Sequence, residues 1–182
     1  TKFRGAGVSA CATCDGFFYR NQEVAIVGGG DTAAEEATYL AKLCSKVHLI
    51  HRRNELRASK AMQQKVLDTK NIIIHFNYVI DEIFGDKFVE GIKIKSTINN
   101  EIKTINVTGV FIAIGHKPNT DIFKEQLELD NDGYIITKPN STETSVKGVF
   151  AAGDVQDKIY RQAITAAASG CMAAIELERS LH

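Results

Sequence analysis

The 182-residue sequence contains no tryptophan, two prolines and four cysteines, and its net charge is zero. Lysine plus arginine equal aspartate plus glutamate at 22 each, a balance that argues against binding nucleic acid or a membrane surface through overall charge. No apolar run approaches the roughly 20 residues that cross a membrane. Four cysteines are too few for a disulfide scaffold, and no apolar signal-peptide core follows the N-terminus. The sequence therefore predicts a cytoplasmic protein with neither nucleic acid nor membrane as a partner.

The four cysteines divide into one close pair and two single residues. Cys11 and Cys14 form a C-x-x-C pair that is followed directly by Asp15. Thiols at this spacing can close into a reducible disulfide, or attack another disulfide as thiolates. A zinc site would need two further ligands, and neither the single cysteines nor the histidines show a matching motif; zinc and an inert pair stay as the alternatives. We predict that Cys44 and Cys171 are buried as small apolar residues.

Strand and helix patterns alternate near the N-terminus. Residues 1–21 are expected to form a loop that carries the cysteine pair, and residues 23–27 a buried strand that ends in glycines. Residues 32–43 have helical apolar spacing, with Asp31 placed to cap them, and residues 46–50 form a second strand. Strand, glycine-rich turn, helix and strand make a βαβ unit, in which the two strands are parallel.

The next region is predicted to complete this domain. A helix is expected over residues 59–69, with Met62, Val66 and Leu67 facing inward. Strands are predicted at residues 72–76, 78–83, 88–95, 101–107 and 109–114. The second, third and fourth of these alternate in polarity, so they should form a small antiparallel insertion with a turn at Asn99-Asn100.

The character of the sequence changes near Pro118, which indicates a domain boundary. Short strands are predicted beyond it at residues 134–137 and 149–152, the second running into a Gly153-Asp154 turn. A long alanine-rich helix follows over residues 162–177. Because this helix is only weakly amphipathic, we expect it to be well covered by its neighbours.

A glycine fingerprint lies between the first predicted strand and the first predicted helix. Gly28, Gly30 and Ala33 fit the G-x-G-x-x-G/A pattern, in which the glycines allow a tight turn and close approach of a pyrophosphate to a helix N-terminus. Asp31 and Thr32 stand in the same loop. An ordinary glycine-rich turn is the alternative, but the flanking strand and helix favour a dinucleotide site.

Basic residues follow the second predicted strand, where an NAD site usually has an acidic residue for the ribose. They are His51, Arg52, Arg53 and Arg57. Guanidinium groups suit the 2′-phosphate of NADP(H), which they can bind through bidentate, charge-assisted hydrogen bonds. A solvated cluster of charges is the alternative. The position at the ribose end favours NADPH as a cofactor.

A nicotinamide site beside a dithiol calls for a third redox group. Direct transfer of a hydride from nicotinamide to a disulfide lacks a good route, and a flavin normally bridges the two. We therefore expect the chain to contact a flavin through its C-terminal segment. Asp15 has two possible roles: it exchanges protons with the thiols as a general acid and base, or it caps a helix or turn.

Several motifs resemble, in family order, those of low-molecular-weight, bacterial-type thioredoxin reductases. They lie at residues 10–16, 28–33, 51–53 with Arg57, 113–120, and 153–155 with 160–163. The resemblance implies that Cys11 and Cys14 are the redox-active disulfide and that Asp15 is the acid that serves it. The implied cofactor contacts are Gly28, Gly30, Asp31, Thr32, Ala33, His51, Arg52, Arg53, Arg57, Ile114, Gly115, Asp154, Arg161, Gln162 and Ala163, the last four near FAD. No metal site is implied.

The resemblance also implies the fold class, which is α/β. Residues 1–117 would form the NADPH domain, which carries the redox dithiol. This domain would be FAD/NAD(P)-binding and Rossmann-like, a three-layer βα arrangement with a small antiparallel insertion. Residues 118–182 would form the C-terminal part of an FAD domain. The family has a further glycine fingerprint upstream of the dithiol, so we expect this chain to be a fragment with an incomplete FAD site. Full-length members of the family suggest a homodimer.

The implied function is that of a thioredoxin-disulfide reductase in cell redox homeostasis. Electrons would pass from NADPH to FAD, then to the Cys11–Cys14 disulfide and finally to thioredoxin. The isolated chain is expected to lack reductase activity. The alternatives are a flavin-deficient fragment that acts only as an NADPH-binding module, and the flavoprotein component of a peroxide reductase. The intact cysteine pair argues against the first, and the arginine pair argues against the second, which uses NADH.

Overall fold

The computed structural model describes residues 2–181 and divides into two compact units, Thr1–Gly115 and His116–His182. Its strands are β1 (Val8–Ser9), β2 (Glu23–Gly28), β3 (Lys46–His51), β4 (Ile72–Phe76), β5 (Tyr78–Phe84), β6 (Gly91–Ser96), β7 (Ile102–Ile105) and β8 (Gly109–Ala113). Its α-helices are α1 (Ala12–Asp15), α2 (Asp31–Leu40), α3 (Lys60–Asp68) and α4 (Ala163–Ser180). Short 3₁₀ helices lie at Gly16–Tyr19, Asp121–Phe123 and Gly153–Val155. No helix within residues 2–181 is long and apolar enough to cross a membrane.

The first unit is built on a five-stranded parallel sheet in the order β1-β8-β2-β3-β4. Alternate residues of β2 enter two different cores, because successive side chains of a strand point to opposite faces. Val24 and Ile26 pack with α2, whereas Ala25 packs with Ile92 and Ile94 of β6. Helices, parallel sheet and antiparallel sheet therefore form three layers. The α/β fold class is confirmed.

The antiparallel insertion is also present, in the order β5-β6-β7. Asn100, which has a φ of 59°, lies in the turn between β6 and β7, as predicted. β6 begins at Gly91, three residues later than expected, because Phe88 and Val89 belong to the preceding loop, where the Val89 N–H donates to Ala6 O at 3.0 Å. The predicted strands of this unit are otherwise found with small changes at their ends.

Residues 2–21 are not the loop that the sequence suggested; Thr1, which the prediction also covered, lies outside the described residues. β1 pairs in parallel with β8, with Val8 opposite Val110. It is followed by α1 and by the 3₁₀ helix Gly16–Tyr19. Elements of two to four residues are too short to show a hydrophobic period, so the sequence pattern could not reveal them.

Two details of the helices in this unit were wrong. Gly30, not Asp31, is the N-cap of α2, and Asp31 instead accepts a hydrogen bond from the Ser59 N–H at 2.8 Å. In α3, Val66 is buried but Leu67 is 62% exposed. Adjacent helical residues are about 100° apart around the axis, so the two side chains cannot both face the core.

The second unit holds fewer regular elements than predicted. Residues 134–137 and 149–152 form no strands; single bridges join Leu129 to Ile135 and Glu143 to Phe150. α4 extends over Ala163–Ser180, but the structure shows none of its residues as buried, so the expectation of a well-covered helix was wrong. The free thiol of Cys171 on α4 is exposed, contrary to expectation, whereas that of Cys44 is buried as predicted.

Candidate redox and nucleotide site

Cys11 and Cys14 are joined in a disulfide, with their Cα atoms 5.3 Å apart. Cys11 is the N-cap of α1, and its Sγ accepts a hydrogen bond from the Cys14 N–H at 3.2 Å. The Cys11 N–H in turn donates to Ser9 Oγ at 3.1 Å, which ties the pair to the end of β1. After reduction, an N–H donor at Cys11 Sγ would favour the thiolate, because hydrogen bonding to a charged form stabilises it.

This geometry bears on the two alternatives for Cys11 and Cys14, a zinc site and an inert pair. The two sulfur atoms bind each other, and within residues 2–181 no group of three His, Cys, Asp or Glu side chains is placed to hold a metal ion. A closed disulfide between cysteines three positions apart is the expected oxidised form of a redox-active dithiol.

Asp15 is the last residue of α1 and is half-buried. It occupies the cap position of the following 3₁₀ helix, but its side chain makes no capping hydrogen bond there. Asp15 instead lines a cleft of about 510 Å³ together with Ser9, Phe18 and Tyr19. Burial raises the pKa of the Tyr19 hydroxyl, and the charge of Asp15 adds to the effect. Asp15 therefore follows Cys14 directly in the chain and borders a cleft.

The glycine loop has the close packing that the fingerprint predicts. A Cβ on Gly28 would lie 2.6 Å from the Cβ of Ala33 and closer still to the carbonyl oxygen of Ala113. Gly30 has no neighbour within 4 Å of the position of a Cβ, so this side of the loop is open. α2 begins directly behind Gly30, and its first backbone N–H groups are the donors that an anion would use.

The basic segment lies against this loop. Arg52, Arg53 and Arg57 are exposed, so their guanidinium groups are free to meet a phosphate. The backbone N–H groups of Arg57 and Ala58 donate to Gly29 O at 2.6 and 3.0 Å, which brings the segment beside the loop. His51 differs from the arginines because its side chain is only 5% exposed.

The C-terminal candidates of the second unit lie on two neighbouring turns. Asp154 is exposed in the 3₁₀ helix Gly153–Val155, and the Gly153 N–H donates to Ser169 Oγ of α4 at 2.9 Å. Gln162 caps α4 through a reciprocal capping box with Thr165, and Ala163 is the first residue of the helix. The carboxyl-terminal end of the first unit carries the other two candidates: Ile114 is 70% exposed and Gly115 has a φ of 98°.

Asp157 is a residue of this turn that the sequence did not reveal. Its carboxylate accepts the backbone N–H groups of Ile159, Tyr160 and Arg161 at 2.8–3.0 Å and the Thr165 hydroxyl at 3.1 Å. These bonds hold Arg161 at a φ of 49°, a left-handed conformation that is unfavourable for a side chain of this size. An Asp placed shortly before a helix is the signal that could have indicated such a turn.

Two histidines, His48 and His75, form a hydrogen-bonded pair that no sequence motif indicated. Nδ1 of His48 lies 3.0 Å from Nε2 of His75, and Nε2 of His48 lies 3.2 Å from a carboxylate oxygen of Glu23. The pair forms because β3 and β4 are neighbours and both side chains point to the same face. It lies away from the glycine loop, near the start of β2.

Comparison with known proteins agrees with these observations. Residues 1–170 match the family described as pyridine nucleotide-disulphide oxidoreductase. The chain is 57% identical over 184 residues to a protein of Rickettsia typhi named thioredoxin reductase, and 55% identical over 188 residues to one of the same name from Escherichia coli O157:H7. These alignments include 100% and 98% of this chain but only 59% and 58% of the relatives. The chain therefore spans well under two thirds of their length.

Solved structures give the same result. The thioredoxin reductase of Streptococcus pyogenes MGAS5005 superimposes with a TM-score of 0.91 at 38% identity, over 97% of this chain and 57% of that one. The thioredoxin reductase of Giardia duodenalis gives a TM-score of 0.88 at 47% identity, over 97% of this chain and 58% of its own.

Proposed function

Because this chain belongs to the pyridine nucleotide-disulphide oxidoreductase family, we propose that it forms the NADPH-binding and disulfide-carrying part of a thioredoxin-disulfide reductase. Bound NADPH and FAD would supply electrons to the Cys11–Cys14 disulfide, which would pass them on to a thioredoxin. The observation that carries the proposal is a closed Cys11–Cys14 disulfide in the same compact unit as a glycine loop flanked by three exposed arginines. The homodimer and the cytoplasmic location stay predictions.

The glycine loop and the basic segment fit NADPH. The open side of Gly30 leaves room for the pyrophosphate, and the start of α2 supplies N–H donors and the positive end of a helix dipole. Asp31 and Thr32 line the same turn. Arg52, Arg53 and Arg57 would bind the 2′-phosphate, since their guanidinium groups are exposed and always charged.

Part of an FAD site fits the second unit. Asp154, Arg161, Gln162 and Ala163 lie on turns that Asp157 and Ser169 hold together. The N-terminus of α4 would favour negative charge on a flavin placed there. The sequence carries one glycine fingerprint, which we assign to NADPH, so the 182 residues alone should bind little FAD.

When bound, NADPH would supply a hydride whose two electrons FAD would relay to sulfur. The Cys11–Cys14 bond takes up two electrons and two protons and opens to two thiols. Asp15, which follows Cys14 directly and lines a cleft, exchanges these protons with solvent. A thiolate of the pair then attacks the disulfide of thioredoxin and forms a mixed disulfide with it. The second cysteine of the pair resolves this mixed disulfide, so the Cys11–Cys14 disulfide forms again and thioredoxin is released with two thiols. The two electrons gained by the pair have then passed to thioredoxin.

A hybrid enzyme tests this proposal. This chain would replace the matching segment of the Escherichia coli relative, which is 55% identical to it, and reduction of thioredoxin would be measured with NADPH and with NADH. We expect turnover with NADPH, and a preference over NADH on the order of 100-fold, as two charge-assisted hydrogen bonds of about 1.5 kcal/mol each would give. Replacing both Arg52 and Arg53 by Ala should abolish most of this preference.

The alternatives give different results in the same assay. A Cys14→Ser hybrid should bind NADPH but not reduce thioredoxin. If the unaltered hybrid binds NADPH and FAD yet reduces no thioredoxin, the chain is a nucleotide-binding module. A preference for NADH would instead support the flavoprotein component of a peroxide reductase.

A further inference from the structure

The glycine loop contains one glycine more than its fingerprint requires. The fingerprint uses Gly28 and Gly30 and leaves the position between them open. Gly29 is not among the glycines with a positive φ, so its backbone conformation does not call for glycine. A Cβ at this position would, however, lie 2.8 Å from Nε2 of His51 and closer still to Cε1 and Nδ1. The ring of His51 fills the space in which a side chain at position 29 would begin.

His51 is not placed like a residue that binds a phosphate from solvent. It is the last residue of β3, and its side chain is 5% exposed, whereas the neighbouring Arg52 and Arg53 are exposed. Its Nε2 is buried and has no hydrogen-bond partner within the described residues. A buried nitrogen without a partner costs stability, so its presence indicates a role for the ring. Contact with Gly29 is the role that the geometry offers.

The same segment also contacts the loop through hydrogen bonds. Gly29 O accepts the backbone N–H groups of Arg57 and Ala58, and the Asp31 carboxylate accepts the Ser59 N–H at 2.8 Å. The glycine loop is thus held by the ring of His51 and by the backbone of residues 57–59. The loop faces the pyrophosphate of the proposed nucleotide, and the segment carries the arginines for its 2′-phosphate.

We propose that His51 is a positioning residue, which locks the glycine loop against the basic segment so that the pyrophosphate and 2′-phosphate sites keep a fixed spacing. This inference rests on the proposed function, and it replaces the sequence-based assignment of His51 to the phosphate itself. Gly29 is glycine because the lock leaves no room for a side chain.

The charge of the ring fits this role. Burial lowers the pKa of His51 and outweighs the backbone hydrogen bonds with Glu55 and Gly28, which raise it, while the nearby charges of Arg57 and Arg53 lower it further. The ring is therefore neutral near pH 7, so His51 acts through its shape and adds nothing to the positive charge that the arginines supply.

A double-mutant cycle at positions 29 and 51 tests the lock without any nucleotide. Thermal unfolding of the 182-residue chain would be followed for Gly29→Ala, His51→Ala and the double variant. We expect Gly29→Ala to lower the melting temperature strongly beside the wild-type ring, but to have little further effect once His51 is Ala, because the clash is then gone. Gly30→Ala is the matched control, since a Cβ there meets nothing within 4 Å. Additive effects of the two substitutions would overturn the lock.

Nucleotide affinity tests the positioning role. His51→Ala should weaken NADPH by about tenfold, or about 1.4 kcal/mol. It should weaken NADH less, because NADH lacks the 2′-phosphate whose distance from the pyrophosphate the lock sets. His51→Phe fills the same space without nitrogen, so it should recover most of the loss. Arg53→Ala should weaken NADPH alone. A His51→Phe variant that loses affinity for NADPH only would show that a ring nitrogen binds the 2′-phosphate, and would overturn the inference.

The two proposals can fail separately. If the wild-type chain binds neither nucleotide, the proposed function and the positioning role are both wrong, and the unfolding cycle still decides whether the ring and Gly29 exclude a side chain. If the wild type binds NADPH but His51→Ala binds it equally well, only the positioning role is wrong.

Discussion

The His48–His75 pair should make the first unit lose stability in mild acid. His48 is 7% exposed, and both rings can make their hydrogen bonds while neutral. His75 Nε2–H can donate to His48 Nδ1, and His48 Nε2–H can donate to Glu23. A further proton would place a charge between the rings, near Lys103. Burial lowers the pKa of His75 to about 4, and the charges of His48 and Lys103 act in the same direction. Burial also lowers the pKa of His48, although Glu23 opposes this effect.

The size of the effect follows from proton linkage. An unfolded histidine has a pKa of about 6.5, so the unfolded chain binds protons that the folded His75 refuses, and stability is full above that pH and falls as the pH drops toward 4. For these two values the loss between pH 7.5 and pH 5 is at most about 2 kcal/mol from His75 alone. Glu23 stays ionised throughout this window, because hydrogen bonds from Lys46 and His48 lower its pKa.

Urea unfolding at the two pH values measures this loss. With a urea dependence of about 2 kcal/mol per molar, the titration of His75 should lower the midpoint by up to about 1 M from pH 7.5 to pH 5. Pulsed hydrogen exchange of the β3 and β4 amides would follow this unit specifically. His75→Gln keeps an N–H donor for His48 but cannot titrate, so it should remove the part of the pH dependence that His75 contributes and leave the part from His48 and His51.

A second histidine variant provides the control. His116 is exposed and belongs to the other unit, so His116→Gln should keep the wild-type pH dependence. An equal midpoint at both pH values in the wild type would refute the reasoning. So would a His75→Gln variant that loses as much stability in acid as the wild type.

Two further predictions concern thiols and a helix anchor. Burial raises the pKa of Cys44 to about 11, whereas Cys171 is exposed. Iodoacetamide at pH 8 should therefore modify Cys171 rapidly and Cys44 hardly at all in the folded chain, as peptide mass spectrometry can show. Comparable rates of modification at the two cysteines would contradict the structure. Glu176 of α4 accepts the Thr142 N–H at 2.8 Å, so Glu176→Gln should speed hydrogen exchange of that amide, while Glu178→Gln should not.

The parallel sheet could be predicted from the sequence because its strands are buried on both faces. β2 and β8 contain continuous β-branched or apolar runs, and β3 has the buried apolar residues Val47, Leu49 and Ile50. The ends of all three strands were predicted to within one residue. The fingerprint of Gly28, Gly30 and Ala33 was recognisable because a predicted strand comes before it and a predicted helix follows it. The fold class followed from this order of elements.

Features that depend on pairing between distant residues could not be predicted in the same way. His48 and His75 are 27 residues apart, and only the β3–β4 register brings their nitrogen atoms to 3.0 Å. The burial of His51 depends on the path of the glycine loop, although the additional Gly29 was a signal that something packs there. α4 was expected to be covered because a helix apolar on several sides usually is, and its sequence contains nothing that shows which surface meets it.

Mapping of free thiols in the hybrid enzyme asks whether electrons from NADPH reach the Cys11–Cys14 disulfide. NADPH would be added without oxygen, the thiols would be alkylated within seconds, and the modified cysteines would be identified by mass spectrometry. We expect Cys11 and Cys14 both to be unmodified before NADPH and both to be alkylated after it, and we expect added thioredoxin disulfide to reverse the change. A Cys11–Cys14 disulfide that stays closed while NADPH is consumed would show that this disulfide is not on the path of the electrons.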